Sequence, residues 1–394
     1  MKHKLLGTAA VMFLTAGILG YWIFRRDDFQ EQTRYERGET ELMITNLSYA
    51  SLTLYRAGRN LLDTVRVEPF DGNSIWLTLG NYFLRSVESG RVTFHPIALT
   101  GYRCGPDEDG SFLVTIRPMP KEFPPCLLGN IPEFIYIPSG NFLMGDRQNP
   151  REPHYIWLTG HFIAPFEVTN AEFREFLDAE DGYNDDANWT DQGRKWKATV
   201  KSHVSALLLP TDDDYKRFGQ PDQPVTWVTW FEANAFCKWM SRKYSGGKWL
   251  FSLPTDAEWE KAARGPDNFD YALSRFVSDA EVSLYNWRKN PDALVPVFGI
   301  EETPGAFHAN RYGLYHMTGN VAEWTQSTDT PFSRERPFAD DGRNHDDAQG
   351  KRTARGGSWY SAATSYLYIP YRDSFQPEHS TQDIGFRIVA RALP

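Results

Sequence analysis

The chain has 394 residues, 41% of them hydrophobic and 24% charged, so it is long enough for two or three globular domains with cores of their own. Its net charge of -9 gives no electrostatic basis for binding nucleic acid, and we expect no nucleic-acid partner. The 13 tryptophans and the 15% aromatic content indicate a loop-rich fold that is stabilised by large, rigid side chains.

The first segment is an uncharged apolar run, residues 5–24, with lysines before it and arginines after it. A helix of this length spans roughly 30 Å, the thickness of the hydrocarbon core of a bilayer. A cleavable signal peptide is the alternative, but the small residues of a cleavage site are not evident. We expect residues 1–26 to be a signal anchor, a single transmembrane helix in the inner membrane of a bacterial cell. The later domains would then be periplasmic, although the balanced flanking charges leave the orientation open.

A charged linker, residues 27–38, precedes a region of different character. Residues 39–118 contain short runs of alternating polar and apolar residues, separated by Gly, Asn, Asp and Ser. Alternation with turn residues between the runs predicts a small antiparallel β-sandwich. The region loosely resembles the PEGA-type modules found between bacterial membrane anchors and outer domains. It contains no catalytic cluster, so we interpret it as a spacer or docking module.

Residues 119–132 form a Pro-rich joint, which we expect to be extended and stiff. The last domain, residues 133–394, begins with two strand-like runs on either side of Ser139 and Gly140. This pattern predicts a β-hairpin.

Three helix starts in this domain share one pattern, a Thr followed three residues later by a Glu. In such a capping box the Thr hydroxyl accepts from the third backbone N–H, and the Glu carboxylate accepts from the N–H of the Thr. The pairs are Thr169 with Glu172, Thr229 with Glu232, and Thr255 with Glu258. We expect the third helix to end at Gly265 in a left-handed conformation. The polar stretches 178–192, 207–224 and 265–286 are interpreted as insertions between the helices.

The C-terminal third of the chain lacks a regular period. Residues 310–324 carry aromatic anchors and a Gly-Asn turn, so their backbone must be held by packing or by a cation that binds its carbonyls. The acidic tract 339–347 is a solvated loop or, alternatively, a calcium loop. Gly356 and Gly357 indicate a close approach of the backbone to another element, and residues 384–390 are interpreted as a closing strand.

Three cysteines are present. Cys104 and Cys126 could form a disulfide in an oxidising compartment or remain two unrelated thiols. Cys237 lies in a helical pattern of large apolar residues, which predicts a buried, inert thiol. No Cys or His spacing is typical of a zinc site.

Eight ordered motifs in residues 133–392 resemble the sulfatase-modifying-factor family, whose founding activity is the formylglycine-generating enzyme. They begin with residues 137–145 and 166–170, continue through 224–230, 253–265, 310–315 and 319–324, and end with 355–359 and 385–387. The resemblance implies an α+β fold, a variant of the C-type lectin fold with little regular secondary structure.

The resemblance also implies where an oxidase of this family would hold copper(I). Two cysteines shortly after the Gly-Gly-Ser motif supply soft thiolate ligands, and one of them exchanges with the substrate cysteine. In this chain those positions fall on Ser361 and near Tyr366, and residues 359–394 contain no Cys. We therefore expect no copper and no formylglycine-generating activity.

The family's calcium sites are matched in part. One site maps to the carbonyls of Gly319 and Val321 and the carboxylate of Glu323, although His316 stands where a further side-chain ligand is expected. The second site retains Asn286 and the Trp287 carbonyl. Alternatively, Glu323 only accepts hydrogen bonds from backbone N–H groups in its own turn.

Two functions remain open. The first is a binding or scaffold protein whose cleft, formed by Trp359, Ser361, Tyr366 and Arg372, holds a peptide or protein partner. The second is an oxidoreductase that acts on a peptide or small metabolite without the cysteine pair, as some relatives in the family imply. The missing thiols favour the first, with no catalytic residue assigned. A carbohydrate-binding lectin is a weaker third hypothesis, because fold alone does not give function.

Overall fold

The computed structural model describes residues 39–46, 51–56, 66–69, 72–78, 80–88, 91–99, 112–116, 124, 134–146, 154–200, 218–266, 268–273, 285–287, 308–331 and 342–393. The expected membrane anchor, the charged linker, most of the Pro-rich joint, and both Cys104 and Cys126 lie outside these residues. Within the described part of the chain, no helix is both long and apolar enough to cross a bilayer.

The first domain consists of two facing sheets. Their strands are β1 Glu39–Asn46, β2 Leu52–Arg56, β3 Arg66–Val67, β4 Gly72–Thr78, β5 Gly80–Glu88, β6 Arg91–Leu99 and β7 Phe112–Ile116. One sheet has the order β4-β1-β7 and the other β3-β2-β5-β6. Leu42 and Ile44 of the first sheet share a core with Leu54 and Leu84 of the second. The prediction that all strands are antiparallel is wrong, because β1 and β7 pair in parallel.

Within its described residues, the second domain contains three further sheets and four helices. Its strands are β8 Ile135–Ile137, β9 Gly140–Met144, β10 His154–Leu158, β11 His161–Ile163, β12 Trp249–Ser252, β13 Ala322–Thr328, β14 Arg352–Arg355, β15 Asp373–Phe375, β16 Ile384–Gly385 and β17 Val389–Ala392. The sheet orders are β10-β9, β12-β17-β11-β8 and β15-β14-β13-β16. The helices are α1 Asn170–Asp178, α2 Asp191–Lys197, α3 Trp230–Tyr244 and α4 Asp256–Arg264, with 3-10 turns at Asp186–Asn188 and Thr364–Leu367.

Two predictions about strands are wrong, one about a hairpin and one about a single closing strand. The strands on either side of Ser139 and Gly140 do not form a hairpin, because β8 pairs with β11 and β9 pairs with β10 in different sheets. Residues 384–390 are not one strand. They divide into β16, which pairs with β13, and β17, which pairs with β11 and β12. The break lets Arg387 turn into the core, where it binds Glu323.

The three capping boxes are confirmed. In each one the Thr hydroxyl accepts from the N–H of the Glu and the Glu carboxylate accepts from the N–H of the Thr. Gly265 does end α4, but its φ of 63° and ψ of -179° lie outside the left-handed helical region. The stretch 178–192 is not a plain insertion, because it contains the first 3-10 turn and the start of α2.

The largest core of the second domain is built from aromatic side chains, as the composition indicates. Phe173 and Phe176 of α1 contact Phe236 and Trp239 of α3 with ring centroids 5.5 to 5.8 Å apart. Cys237 lies in the same core, and burial raises the pKa of its thiol well above the usual value. The predicted burial of this thiol is thereby confirmed, and the raised pKa agrees with low reactivity.

Candidate functional site

A cavity of about 200 Å³ lies on the face of the sheet β15-β14-β13-β16. Ala322 of β13, Ala354 of β14 and Ile384 of β16 are among its lining residues, and each comes from a different strand. Because two of these floor residues are alanines, the sheet leaves room above it. The walls come from two irregular segments, residues 357–371 and 376–383.

Hydrogen bonds from the surrounding backbone fix both walls. Trp359 N donates to Asn320 O at 2.8 Å, and Trp287 Nε1 donates to Ser361 O at 2.8 Å. On the other side, Trp227 N donates to Thr381 O at 2.9 Å. The walls of the cavity are therefore attached to the rest of the domain at several points.

Gly357 allows two parts of the first wall, at residues 357 and 366, to lie close together. Its φ is 65°, and a Cβ there would lie 2.6 Å from the carbonyl oxygen of Tyr366. No side chain fits at that distance, so the position requires glycine. The predicted close approach at Gly356 and Gly357 is confirmed.

Hydroxyl groups and one carboxylate form the polar side of the cavity. Ser358 Oγ donates to Asp383 Oδ2 at 2.7 Å, and Thr381 Oγ1 donates to Asp383 Oδ1 at 2.8 Å. Ser361 Oγ accepts from Ser358 N at 2.8 Å. Each carboxylate oxygen of Asp383 thus has one protein donor and can still accept from a ligand, because a carboxylate oxygen has two acceptor sites.

Aromatic rings form the other side. Tyr366 and Tyr371 meet edge to face with centroids 5.0 Å apart, and Phe375 stacks on His379 at 4.7 Å. Asp373 lies among them, at the start of β15. Burial raises the pKa of the Tyr371 hydroxyl, and the nearby Asp373 carboxylate raises it further.

The structure brings together only part of the predicted cleft. Ser361 and Tyr366 line the cavity. Trp359 is buried in a separate apolar cluster with Phe218 and Val321. Arg372 faces away from the cavity lining and pairs with Asp256, with 2.7 Å between the Arg372 Nε and a carboxylate oxygen.

The sequence interpretation missed four residues that line the cavity, which are Ser358, Tyr371, Asp373 and Asp383. Ser358 lay in a motif that had been recognised, but nothing in the sequence placed it beside Asp383, 25 residues away. The spacing of Thr381 and Asp383 is a local signal that could have indicated a hydroxyl-carboxylate pair.

A family model for the sulfatase-modifying factor enzyme 1-like domain matches residues 121–392, which is more than half of the chain. The chain belongs to this family. The match begins within the Pro-rich joint and covers the second domain up to residue 392. It agrees with the eight ordered motifs and with the mixed fold of short strands, helices and irregular segments.

Three relatives show how diverse this family is. The chain is 28% identical to the formylglycine-generating enzyme of Mus musculus over 66% of this chain and 76% of that protein. It is 26% identical to the inactive C-alpha-formylglycine-generating enzyme 2 of the same organism, over 66% and 86%. It is 30% identical to the hercynine oxygenase of Mycolicibacterium smegmatis over 65% of this chain, but the match spans only 63% of that protein.

The donor atoms of this family member's cavity do not suit copper(I). Ser358, Ser361, Tyr366 and Tyr371 supply hydroxyl groups, which are hard donors, whereas copper(I) prefers soft sulfur ligands. The nearest described thiol in sequence, that of Cys237, lies in the separate core around α3. Within the described residues, no group of three or more His, Cys, Asp or Glu side chains could hold a metal ion.

The turn predicted to bind calcium contains a buried ion pair. Arg387 donates from Nε to Glu323 Oε2 at 2.6 Å and from Nη2 to Glu323 Oε1 at 2.7 Å. Trp259 Nε1 donates to Glu323 Oε2 at 2.8 Å. These partners are side chains from other elements and not the backbone N–H groups of the turn. A cation at Glu323 would have to compete with the guanidinium, so the turn as folded does not suit calcium, and binding there remains an untested prediction.

The other residues predicted to bind calcium lie next to this pair. Val321 packs in the cluster with Trp359, and a Cβ at Gly319 would lie 2.8 Å from the Asn286 carbonyl oxygen. Asn286 Nδ2 donates to Asn320 Oδ1 at 3.0 Å. The indole of Trp287 contacts the cavity wall through Ser361, as described above.

Glu167 completes this buried group from the far side. Asn320 Nδ2 donates to Glu167 Oε1 at 3.0 Å. Burial raises the pKa of Glu167 to about 7, although Arg387 partly opposes the rise. A carboxyl group whose pKa is raised toward neutral pH therefore lies beside the Glu323–Arg387 pair.

The acidic tract 339–347 contributes to packing where it is described. Asp346 accepts from Gln326 Nε2 at 2.6 Å and pairs with Lys238 Nζ at 2.7 Å. These bonds attach the tract to α3 and β13. Asp340 and Asp341 lie outside the described residues.

Proposed function

We propose that the protein is a membrane-anchored, periplasmic binding or scaffold protein whose sulfatase-modifying-factor-like domain holds a segment of a protein partner and does not oxidise a cysteine. The observation that carries the proposal is the chemistry of the cavity. Where the family's oxidase would have its thiol pair, this cavity presents Ser361 and Tyr366, with Ser358 hydrogen-bonded to Ser361.

The pKa of a serine hydroxyl is too high for it to replace a thiolate on copper(I), and a hydroxyl cannot exchange with a substrate thiol as a thiolate does. The thiol of Cys237 is also unsuited, since burial raises its pKa and it lies in another core. Thiol exchange at this cavity therefore has no nucleophile among the described residues.

Two further observations support a binding role. A relative with 26% identity carries the name of an inactive formylglycine-generating enzyme, so loss of the activity has a precedent in the family. The cavity is also attached to a rigid sheet and opens to solvent, since Ser361, Tyr366, Asp373 and Asp383 are all partly exposed. A preformed cavity of this kind can bind a ligand with little ordering cost.

Membrane attachment is part of the same proposal. It rests on the apolar run 5–24, whose length matches the hydrocarbon core of a bilayer. A protein held in this way would present its second domain to partners near the membrane surface.

A second candidate is an oxidoreductase that acts without the cysteine pair. The relative named hercynine oxygenase, 30% identical over its matched part, favours this candidate. Oxygen chemistry without thiols would require a redox metal or another oxidising cofactor at the cavity.

Metal analysis and oxygen uptake of the purified full-length protein separate the two candidates. The protein would be loaded in turn with copper(I) and iron(II) and mixed with a peptide that contains one cysteine. We expect neither metal to be retained stoichiometrically and oxygen uptake to equal that of the metal alone. Metal-dependent uptake that scales with protein concentration would overturn the binding proposal in favour of the oxidoreductase.

A further inference from the structure

The charge of the cavity is unbalanced. Asp373 and Asp383 both line it, and neither has a lysine or arginine within ion-pair distance in the described part of the chain. Asp383 accepts from two neutral hydroxyls, and Asp373 accepts from the N–H of Ser374 at 2.9 Å. Among the described lining residues, His379 is the only basic side chain, and its ring stacks on Phe375.

Elsewhere in this domain, several buried carboxylates have guanidinium partners. Arg355 pairs with both Asp256 and Glu260, and Arg387 pairs with Glu323. Arg355 even approaches the cavity, since its Nη1 donates to the carbonyl of Tyr371 at 3.1 Å, but its charge is directed to α4. The arginines near the cavity are therefore engaged by other carboxylates. The negative charges of Asp373 and Asp383 remain available to a ligand.

The aromatic side of the cavity favours the same kind of group. Tyr366, Tyr371 and Phe375 line the same cavity as the two carboxylates, and Tyr371 lies near Asp373. A cation is attracted to the face of an aromatic ring, and it is attracted more strongly when both are removed from water. Carboxylates beside aromatic rings are therefore complementary to an organic cation and less so to a hydrated metal ion.

The volume limits the size of the ligand. Cavities that enclose a whole drug-sized molecule measure about 300–1,000 Å³. At about 200 Å³ this one is smaller, so it suits one side chain or a small amine. Tyr360, which is 62% exposed next to Ser361, provides an apolar surface on which the remainder of a larger ligand can lie.

We propose that this cavity binds an organic cation, an ammonium or guanidinium group that pairs with Asp373 and Asp383 and contacts Tyr366 and Tyr371. This inference rests on the proposed binding function and specifies its ligand. A lysine or arginine side chain of a polypeptide and a free small amine present the same chemistry, and the experiment distinguishes them.

The test is a calorimetric titration of the full-length protein with four probes. Two are pentapeptides with blocked ends, one with a central lysine flanked by glycines and the other with norleucine in place of the lysine. The other two are n-butylamine and n-butanol. The norleucine peptide and the alcohol retain the shape of the lysine peptide and the amine but lack the charge.

We expect the lysine peptide to bind at least tenfold more tightly than the norleucine peptide. D383N and D373N should each weaken that binding at least tenfold, because each removes one charged partner. D222N is the matched control, since Asp222 is an exposed aspartate outside the cavity, and it should bind like the unaltered protein.

The possible outcomes separate this inference from the proposed function. Equal binding of the two peptides, or binding insensitive to D373N and D383N, overturns the cation inference and leaves a binding protein. Binding of n-butylamine in preference to the lysine peptide supports the cation site and identifies a small amine as its source. If none of the four probes binds, the cation inference is wrong. The proposed function is judged separately, by the oxygen-uptake experiment.

Discussion

The buried charges beneath the cavity and the charges within it are arranged differently. In the core, Glu323 accepts two hydrogen bonds from Arg387 and one from Trp259, so both of its oxygens are neutralised by side chains of the protein. In the cavity, the Asp383 carboxylate accepts from the hydroxyls of Ser358 and Thr381 and has no charged partner among the described residues. Both carboxylates border β13 and β16, yet one is satisfied by the fold and the other retains capacity to bind a ligand.

The difference shows which charges maintain structure and which are available for function. Removing a charge from water costs several kcal/mol, so a fully buried carboxylate needs an opposite charge or hydrogen bonds, or it becomes neutral by a shift of its pKa. Asp383 is partly exposed, so water can solvate its charge in place of a protein cation. A cavity of partly hydrated carboxylates can exchange its water for a cation.

The largest expected effect is on the core side. R387M would leave Glu323 buried with only the indole of Trp259 as a side-chain partner, and breaking a buried pair in this way costs about 3–5 kcal/mol. We expect loss of most of the free energy of unfolding, measured by urea denaturation. R387M/E323L removes both charges and should recover a large part of that loss. If R387M unfolds at the same urea concentration as the unaltered protein, the pair does not stabilise the fold.

The second effect concerns Glu167, which lies next to the pair. Its pKa is raised to about 7, so its stabilising protonated form is fully present below the unfolded pKa and is lost as the pH rises through about 7. Compared with E167Q, the unaltered protein should lose up to about 3 kcal/mol between pH 4.5 and 7, at about 1.4 kcal/mol for each pH unit. Denaturation curves of both proteins at several pH values measure this difference. Parallel pH dependences would show that Glu167 is ionised throughout.

A smaller effect is expected at the start of α4, which carries Asp256 and Glu260 to the arginines. Thr255 Oγ1 accepts from Glu258 N at 3.2 Å, and removal of such a cap typically costs about 1 kcal/mol. T255A should therefore lower the free energy of unfolding by this amount, measured by thermal denaturation. T159A is the control, since Thr159 is exposed and should have an effect of less than about 0.5 kcal/mol.

The smallest effect on stability is expected in the cavity. D383N retains one oxygen that can accept from Ser358 or Thr381 and removes an unpaired negative charge, so we expect a change of less than about 1 kcal/mol in the free energy of unfolding. Thermal denaturation without ligand measures this change. A loss as large as that of R387M would mean that Asp383 is a structural residue and would remove the contrast between the two regions.

The local features of this fold could be predicted from the sequence. Each capping box is determined by two residues three positions apart, and all three helices begin where the pattern indicates. The positive φ of Gly357 is also a local requirement. In contrast, β8 pairs with β11 and β9 pairs with β10, although β8 and β9 are adjacent in sequence. A local pattern typical of a hairpin was therefore misleading.

The site could be predicted only in part for the same reason. The resemblance to the family identified Ser361 and Tyr366, both of which line the cavity. It could not show that Glu323 pairs with Arg387, which is 64 residues away, or that Asp383 lies beside Ser358. Such pairs depend on tertiary packing, and a single sequence carries no signal for them.

The central proposal is that the cavity presents hard, anionic donors where the family's oxidase would hold copper(I) with thiolates. A copper(I) titration of the full-length protein against a coloured chelator tests this claim most directly, with S361C/Y366C as a variant that restores two thiols. We expect the unaltered protein to leave copper(I) on the chelator and the double variant to withdraw it. Stoichiometric withdrawal of copper(I) by the unaltered protein would contradict the account.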